Sequence, residues 1–455
     1  MANQLTTQSP YQSVALSLLE QAKKHGATDA EVMVADGETM SVQVRLSAVD
    51  RLTKAREKRL GLRVFMGKRS AVSATSDFTS ASLAQLAADT CALAGAVVED
   101  AVSGLPEADA FATALPDLDL YDDTRLTTEQ QIAMARTCEQ AAMSADPRVT
   151  NSEGADADWS TGRVVLANSR GFCGEYQASS YSLSVAPVAR DPQSGTMQRD
   201  SWYAVQRRYT KLDTPEAVGM EAARRAVGRL GARKGPTRAV PIVFDRECAG
   251  SLLSNLCSAA SGYALYKGAS FLAGRLGTQL APETVTIYDD GRMVGGLGSK
   301  PFDGDGVPTR KNLIVDRGRL VSYLLDTYSG RKLGMASTGN AARSVGDSPG
   351  VSPTNFYLVP GTKTPEQIIA SVPDGLYVTQ LMGFGINMVT GDYSRGAAGY
   401  WIERGELTYP VEEITIAGNL KDMFASIEMI GSDLQFRGRI ASPTVKIAEM
   451  MVAGT

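Results

Sequence analysis

A chain of 455 residues with 43% apolar and 21% charged residues has an ordinary globular composition, and it is longer than one hydrophobic core usually serves. Its net charge of −4, with basic residues interspersed among acidic ones, leaves no electrostatic footprint for nucleic acid or an anionic membrane. A single histidine, His25, and five cysteines without a CxxC pair leave too few ligands for a histidine-based hydrolytic or zinc site made by this chain alone.

Met1–Pro10 is polar and lacks the features of a secretory signal, and no run approaches the ~20 apolar residues that span a bilayer. A cytoplasmic protein with reduced thiols is expected. Tyr11–Lys24 carries apolar residues at helical spacing and ends at His25-Gly26, a helix stop where a cation suits the dipole. Alternating segments from Glu31 onward, around Val42–Leu46, Leu62–Phe65 and Val72, read as strands. Helical periods return at Ser80–Val98 and Thr127–Met143, separated by a polar connection at Gly104–Asp123. Strand-like segments follow at Val164–Leu166, Tyr181–Val185 and Trp202–Val205, then an alanine-rich helix at Thr214–Leu230 with a Thr-Pro-Glu start.

Gly231–Pro236 (GARKGP) mixes glycine, proline and basic residues, and it sets the expected boundary between two domains, 1–235 and 236–455. The second half opens with a strand, Val240–Phe244, and a helix, Ala249–Ala260. Short strands are expected at Thr284–Tyr288 and Leu313–Val315, with Asp316–Arg319 as a hairpin turn. Further strands at Thr354–Val359, Leu376–Leu381, Ala398–Ile402 and Glu413–Ile416 precede a late helix, Leu420–Met429. The fold class is α+β: an N-terminal mixed α/β domain with helices packed on a sheet, then a β-rich C-terminal domain.

Isolated motifs carry little chemistry. Ser329–Lys332 has Ser-x-x-Lys spacing, but its supporting motifs are missing, so a solvated helix face is the alternative. Gly295–Gly298 and Gly383–Gly385 complete neither a dinucleotide fingerprint nor a P-loop and read as turns or close backbone approaches. Asp303–Gly306 lacks the later acidic ligand of a calcium loop and reads as a polar turn. Cys257 reads as packing.

The stretch Val240–Gly277, with Asp289–Gly291, Pro301–Pro308 and Ser337–Arg343, resembles the TldD/PmbA family of bacterial and archaeal peptidases. Thr390–Gly396 followed by Gly399–Ile402 resembles its PmbA (TldE) branch. In the catalytic branch the first helix of the C-terminal domain carries HExxxH, two zinc-binding histidines and a glutamate that activates water. The resemblance places those positions on Leu253, Ser254 and Ser258, which makes this a degenerate active-site helix. Leucine cannot ligate a metal, and serine matches neither imidazole nor a carboxylate base. A further family ligand, a cysteine, would fall within Gly431–Pro443, where there is none.

The resemblance therefore implies a chain with no catalytic residue, metal or cofactor of its own, paired as a heterodimer with a TldD-like zinc subunit, with a homodimer as its state when alone. The implied substrates are unfolded peptides or the leaders of modified-peptide precursors, held extended through backbone hydrogen bonds. Phe384, Asn387 and Arg395, with Asn340 and Arg343, are the residues expected near a peptide cleft, a structural turn cluster being the other reading. The alternative function is a non-enzymatic homodimeric peptide-binding or scaffold protein.

Overall fold

The computed structural model describes residues 9–454, so the polar segment Met1–Pro10 lies mostly outside the described residues. The first half contains α1 (Pro10–Lys24), β1 (Asp29–Arg45), β2 (Ala48–Met66), β3 (Arg69–Thr75), α2 (Ser80–Ala96), α3 (Thr128–Ala145), β4 (Val149–Asn168), β5 (Cys173–Arg190), β6 (Met197–Arg199), β7 (Trp202–Gln206) and α4 (Pro215–Gly228). The second contains β8 (Arg238–Phe244), α5 (Arg246–Ala259), α6 (Gly262–Tyr266), β9 (Ile287–Asp290), β10 (Lys311–Asp316), β11 (Arg319–Leu320), α7 (Thr327–Leu333), β12 (Ala341–Ala342), β13 (Gly350–Val351), β14 (Phe356–Leu358), α8 (Pro365–Ala370), β15 (Asp374–Ile386), β16 (Asp392–Glu403), β17 (Glu406–Asn419), α9 (Leu420–Ala425), β18 (Ile427–Ile430), β19 (Ile440–Ala441) and β20 (Val445–Ala453). The α+β class expected from the sequence is what the chain adopts.

Local chemistry explains the helix starts. Ser9 and Gln12 form a capping box at α1, with Pro10 in its first turn, and Thr127 with Gln130 does the same for α3. Thr214 accepts from Ala217 N ahead of Pro215 at α4. His25 caps α1 at its C-terminal end beside Lys23 and Lys24, and its side chain is exposed.

The first half forms a seven-stranded antiparallel sheet in the order β3-β2-β1-β4-β5-β6, with β7 also paired to β5. Helices cover one face: Leu18 and Ala87 pack on Val32, Leu62 and Val165, while Ala135 and Ala222 pack on Val42, Trp159 and Leu183. The other face meets the second half through an aromatic cluster of Phe65, Phe111, Phe172 and Phe302. Phe302 enters over Gly174, where an added Cβ would lie 2.7 Å from the ring, so only glycine admits it.

In the second half β17, β16, β15, β8 and β20 are neighbours in that order, and β17 pairs back to β20, so the strands close on themselves. Closure removes sheet edges that would otherwise invite pairing with another chain. Helix α5 packs beside this ring, and a second sheet, β11-β10-β9-β14-β19, completes the core. Arg317 and Gly318 both take positive φ (46° and 76°), as the expected tight hairpin between β10 and β11 requires.

Some elements differ from expectation. The late helix stops at Ala425, because Ile427–Ile430 satisfies its backbone as strand β18 against β20. β20 itself, and the charged first half of β2, are strands without an amphipathic signature in the sequence. Asp303 and Asp305 form a turn, but a buried one rather than a solvated one. Among the described residues no helix is long and apolar enough to cross a membrane.

The halves are tied by a buried charge. Glu31 on β1, 1% exposed, accepts from Arg63 Nη1 at 3.1 Å and from Arg343 Nη1 at 2.6 Å. Removing one member of such a cluster leaves uncompensated charge, at a cost of about 3–5 kcal/mol. Glu31→Ala is expected to lower unfolding free energy by about that amount in urea titrations at neutral pH, against under about 1 kcal/mol for Glu38→Ala, a half-buried residue of the same strand whose ion pair is with exposed Lys54.

Candidate functional site

The degenerate helix is the place to build from. Asp245 ends β8 and caps α5, its carboxylate accepting from Cys248 N at 2.7 Å. Along α5, Leu252, Leu253, Leu256, Cys257 and Ala259 face the core, whereas Ser251, Ser254, Asn255 and Ser258 form a half-exposed to exposed stripe at helical spacing. Leu253 is 3% exposed and is part of the main apolar cluster. The Ser258 hydroxyl donates back to the Ser254 carbonyl at 2.9 Å, one turn earlier. At the three positions assigned to HExxxH, the chain therefore has a core leucine and two serines occupied with, or facing, the helix surface.

Beside this helix stands the β15–β16 hairpin. Met382 pairs with Gly396 and Gly385 with Ser394, so Gly383 and Phe384 together face the single residue Arg395: a β-bulge. Gly383 takes φ +76°, a conformation glycine adopts without strain. The bulge directs the two sides differently. Phe384 is 97% exposed, flanked by exposed Met382 and Val389, while Arg395 turns to α5 and donates Nη1 to Ser251 Oγ at 2.8 Å. Its Nε, the Tyr393 hydroxyl and Asn255 Nδ2 are buried without partners, leaving unused hydrogen-bonding capacity around the helix.

The five residues grouped by sequence fall in two places. Phe384, Asn387 and Arg395 share the hairpin, and there Asn387 serves the turn, its side-chain oxygen accepting from Val389 N and Thr390 N. Asn340 and Arg343 belong elsewhere. Asn340 is fully buried and donates to Asp289 at 2.7 Å, and Arg343 is the partner of Glu31. Both are held by buried carboxylates from other elements, so they do not join the hairpin surface.

Other nucleophile arrangements fail on geometry. Ser329 is buried rather than on a solvated face; its hydroxyl donates to Asp326 in the α7 capping box. Lys332 instead donates to Asp100 at 3.1 Å, so the Ser-x-x-Lys pair is not formed. Burial pushes the Cys257 thiol well above its ordinary value, and Cys248 likewise, so neither is a thiolate at neutral pH. Sequence reasoning overlooked Asp245. Burial pushes its carboxyl up to about 6, only partly offset by the Cys248 N–H and by Arg225, which lies 3.8 Å away and also reaches Asp200. An Asp directly before a helix was the available signal for a cap, but not for its burial.

Could these residues hold zinc? Among the described residues no three His, Cys, Asp or Glu side chains come together as a metal-holding group. Leu253 has no donor atom, and the serines offer neutral hydroxyls, so the donor set does not fit a zinc ion that needs thiolate, imidazole or carboxylate. What the site offers is a binding surface: a hydroxyl-lined helix face, one guanidinium and an exposed apolar hairpin.

Comparison with known proteins places this geometry. Three family models match: the PmbA/TldA metallopeptidase domain 1 over residues 30–94, the central domain over 121–230 and the C-terminal domain over 237–454. Metalloprotease PmbA of Escherichia coli O157:H7 is 37% identical over 425 residues, covering 93% of this chain and 92% of that protein. A PmbA homolog from Haemophilus influenzae is 36% identical, covering 96% and 94%. Among solved structures, a Bacteroides thetaiotaomicron protein described as a candidate modulator of DNA gyrase superposes with TM-score 0.91 at 26% identity, covering 98% of this chain and all of that one. TldE from Thermococcus kodakarensis shares the fold, with TM-score 0.83 at 20% identity, covering 96% and 99%.

Two outcomes follow from the site. A carboxyl whose folded value lies above its unfolded one contributes stability below about pH 4 that is lost as pH rises towards 6. Asn keeps the cap without titrating, so wild type should lose about 2 kcal/mol relative to Asp245→Asn between pH 4 and 6, read from paired urea titrations. In iodoacetamide labelling followed by mass spectrometry, Cys248 and Cys257 should stay unmodified in the native protein and react in denaturant.

Proposed function

The chain belongs to the TldD/PmbA metallopeptidase family, in its PmbA (TldE) branch, and from that premise we propose that it is the catalytically silent subunit of a heterodimeric zinc peptidase. The zinc and the water-activating carboxylate belong to a TldD-like partner. The carrying observation is Leu253: a leucine packed in the core stands where the resemblance expects the first zinc ligand.

On this reading the chain contributes binding. Phe384, Met382 and Val389 present apolar surface on a rigid hairpin, the kind of patch that meets a partner or an unfolded segment. The hydroxyl stripe of α5 and the Arg395 guanidinium lie beside it and can accept and donate to an extended backbone with little demand on side-chain identity. Unfolded peptides and leader segments are substrates of this type. The cytoplasm, where free thiols stay reduced, is the compartment that suits it.

Co-expression with a TldD-like subunit from the same cell, followed by native mass spectrometry and metal analysis, tests the proposal. A one-to-one heterodimer containing zinc is expected, with no stoichiometric zinc and no peptide cleavage for this chain alone. One tightly held zinc per isolated chain with peptidase activity would overturn it, and a persistent homodimer in the presence of the partner would favour a scaffold role. In the active heterodimer, Phe384→Ala should raise KM about tenfold with little change in kcat, the signature of lost uniform binding.

A further inference from the structure

A different region gathers more cations than anions in its lining. Between β4 and β5 of the first sheet and the loops of the second half lies a cavity of about 430 Å³, bordered by Arg207, Lys300, Arg343 and Arg439. That size is within the range of small-molecule sites. Met33, Val164, Leu166, Tyr176 and Phe302 give it an apolar wall.

The cations are poorly compensated from within. Arg207 is held by backbone alone: Nη1 donates to Ser179 O at 2.9 Å, Nε to Gly296 O at 3.4 Å and Nη2 to Leu297 O. Three of its five N–H groups are thus used, by neutral carbonyls, and two remain. Burial and, beyond it, the charge of Arg439 pull the Arg207 guanidinium below its ordinary value. Arg343 spends one nitrogen on Glu31, and its side chain is 3% exposed with Nε and Nη2 unpartnered. Lys300 gives its ammonium to the Ala341 carbonyl at 2.8 Å.

Asp303 is the one carboxylate among the lining residues, and it is already engaged. Its oxygens accept from the backbone N–H groups of Asp305, Val307 and Ala341, each at 2.9 Å. Burial, together with the charge of Asp305, raises its carboxyl above the usual range, so it offsets Arg207 and Arg439 weakly, whereas Arg343 has Glu31 and Lys300 also feels the charges of Asp289 and Asp305. Ser160, Ser299 and Ser352 also line the cavity.

We propose that this cavity binds an oxyanion carried on a small, partly apolar organic molecule, with Arg207, Lys300 and Arg439 receiving the anion and the Met33–Phe302 wall receiving the apolar part. Guanidinium groups suit carboxylate and phosphate alike. The volume and the apolar wall favour a carboxylate on an organic body, such as the C-terminus of a short peptide or a free organic acid, over inorganic phosphate alone. The site is made by this chain alone, and the proposal does not rest on pairing with a zinc subunit.

Isothermal titration of the full chain with acetylated leucyl-phenylalanine, the same dipeptide as its C-terminal amide, free phenylpropionate and inorganic phosphate tests it. Saturable one-to-one binding of the free acid, weakened about tenfold or more in the amide and by Arg439→Met, is the expected result. Arg439 is exposed, so the variant should keep the wild-type thermal midpoint; Lys300→Met provides a second reading. Tighter binding of the dipeptide acid than of phenylpropionate identifies a peptide terminus as the source, and the reverse order a free acid. Equal binding of acid and amide, no saturable binding of either acid at millimolar concentration, or phosphate binding tighter than both acids would overturn the proposal, as would Arg439→Met and Lys300→Met variants that both bind unchanged.

Discussion

The Glu31 carboxylate, buried on the first sheet between Arg63 and Arg343, is the constraint from which the arrangement of the two halves follows. A charge taken out of water is tolerable only when its partners arrive in fixed geometry. Arg63 comes from the neighbouring strand and is supplied locally, but Arg343 comes from the loop after β12, more than three hundred residues on in the sequence. The loop must therefore close against the sheet before Glu31 is satisfied. Phe302 reinforces the same contact with non-directional burial, entering over Gly174 against Phe172. Direction comes from the ion cluster and most of the adhesion from the aromatic one.

The same interface explains why a cavity persists there. Strands β4 and β5 turn one face to helices and the other to the loops of the second half, and beside the aromatic contact those loops are held by buried hydrogen bonds of Asp303, Asp289 and Asn340. Loops fixed through polar atoms cannot collapse into a gap as aliphatic side chains do. A cationic wall on such a frame is rigid, and rigid donors bind an anion without paying much to be ordered first.

How much of this was legible in the sequence depends on whether a residue's role was local. Helices α1 and α3 were readable from apolar residues at helical spacing, α1 also from its His25-Gly26 stop, and α4 from its Thr-Pro-Glu start. The hairpin at Arg317-Gly318 was readable for the same reason. The first half of β2 was not: Ala48 to Arg59 are exposed on both faces, so no alternation marks them, and pairing with β1 alone makes them a strand. β20 was missed for a different cause. Its partners β8, β17 and β18 are remote in sequence, and closure of the ring is a property of topology. At the site, the mixture of glycines around Phe384 and Arg395 was noticeable, but the bulge that sends one to solvent and the other to α5 exists only in the register of two strands. Arg343 was expected near a peptide cleft, and its burial could not be read because Glu31, its partner, lies in the other half.

Helix α5 packs into the core at the position where the family resemblance expects a metal ligand. A metal ligand must project a donor atom into a site, whereas Leu253 projects a branched alkyl group into the core, where it packs in the same cluster as Leu252, Leu256 and Phe424. Once that position contributes packing, reversal would place an imidazole in an apolar cluster without a partner, an unfavourable burial. The helix cap carries a related tension: Asp245 is retained where burial disfavours its charge, because the first turn needs an acceptor and Arg225 supplies a countercharge. The serine stripe meanwhile leaves the outer face of α5 polar and uncharged. A helix of this kind is anchored by its core face and leaves hydroxyls along its outer one.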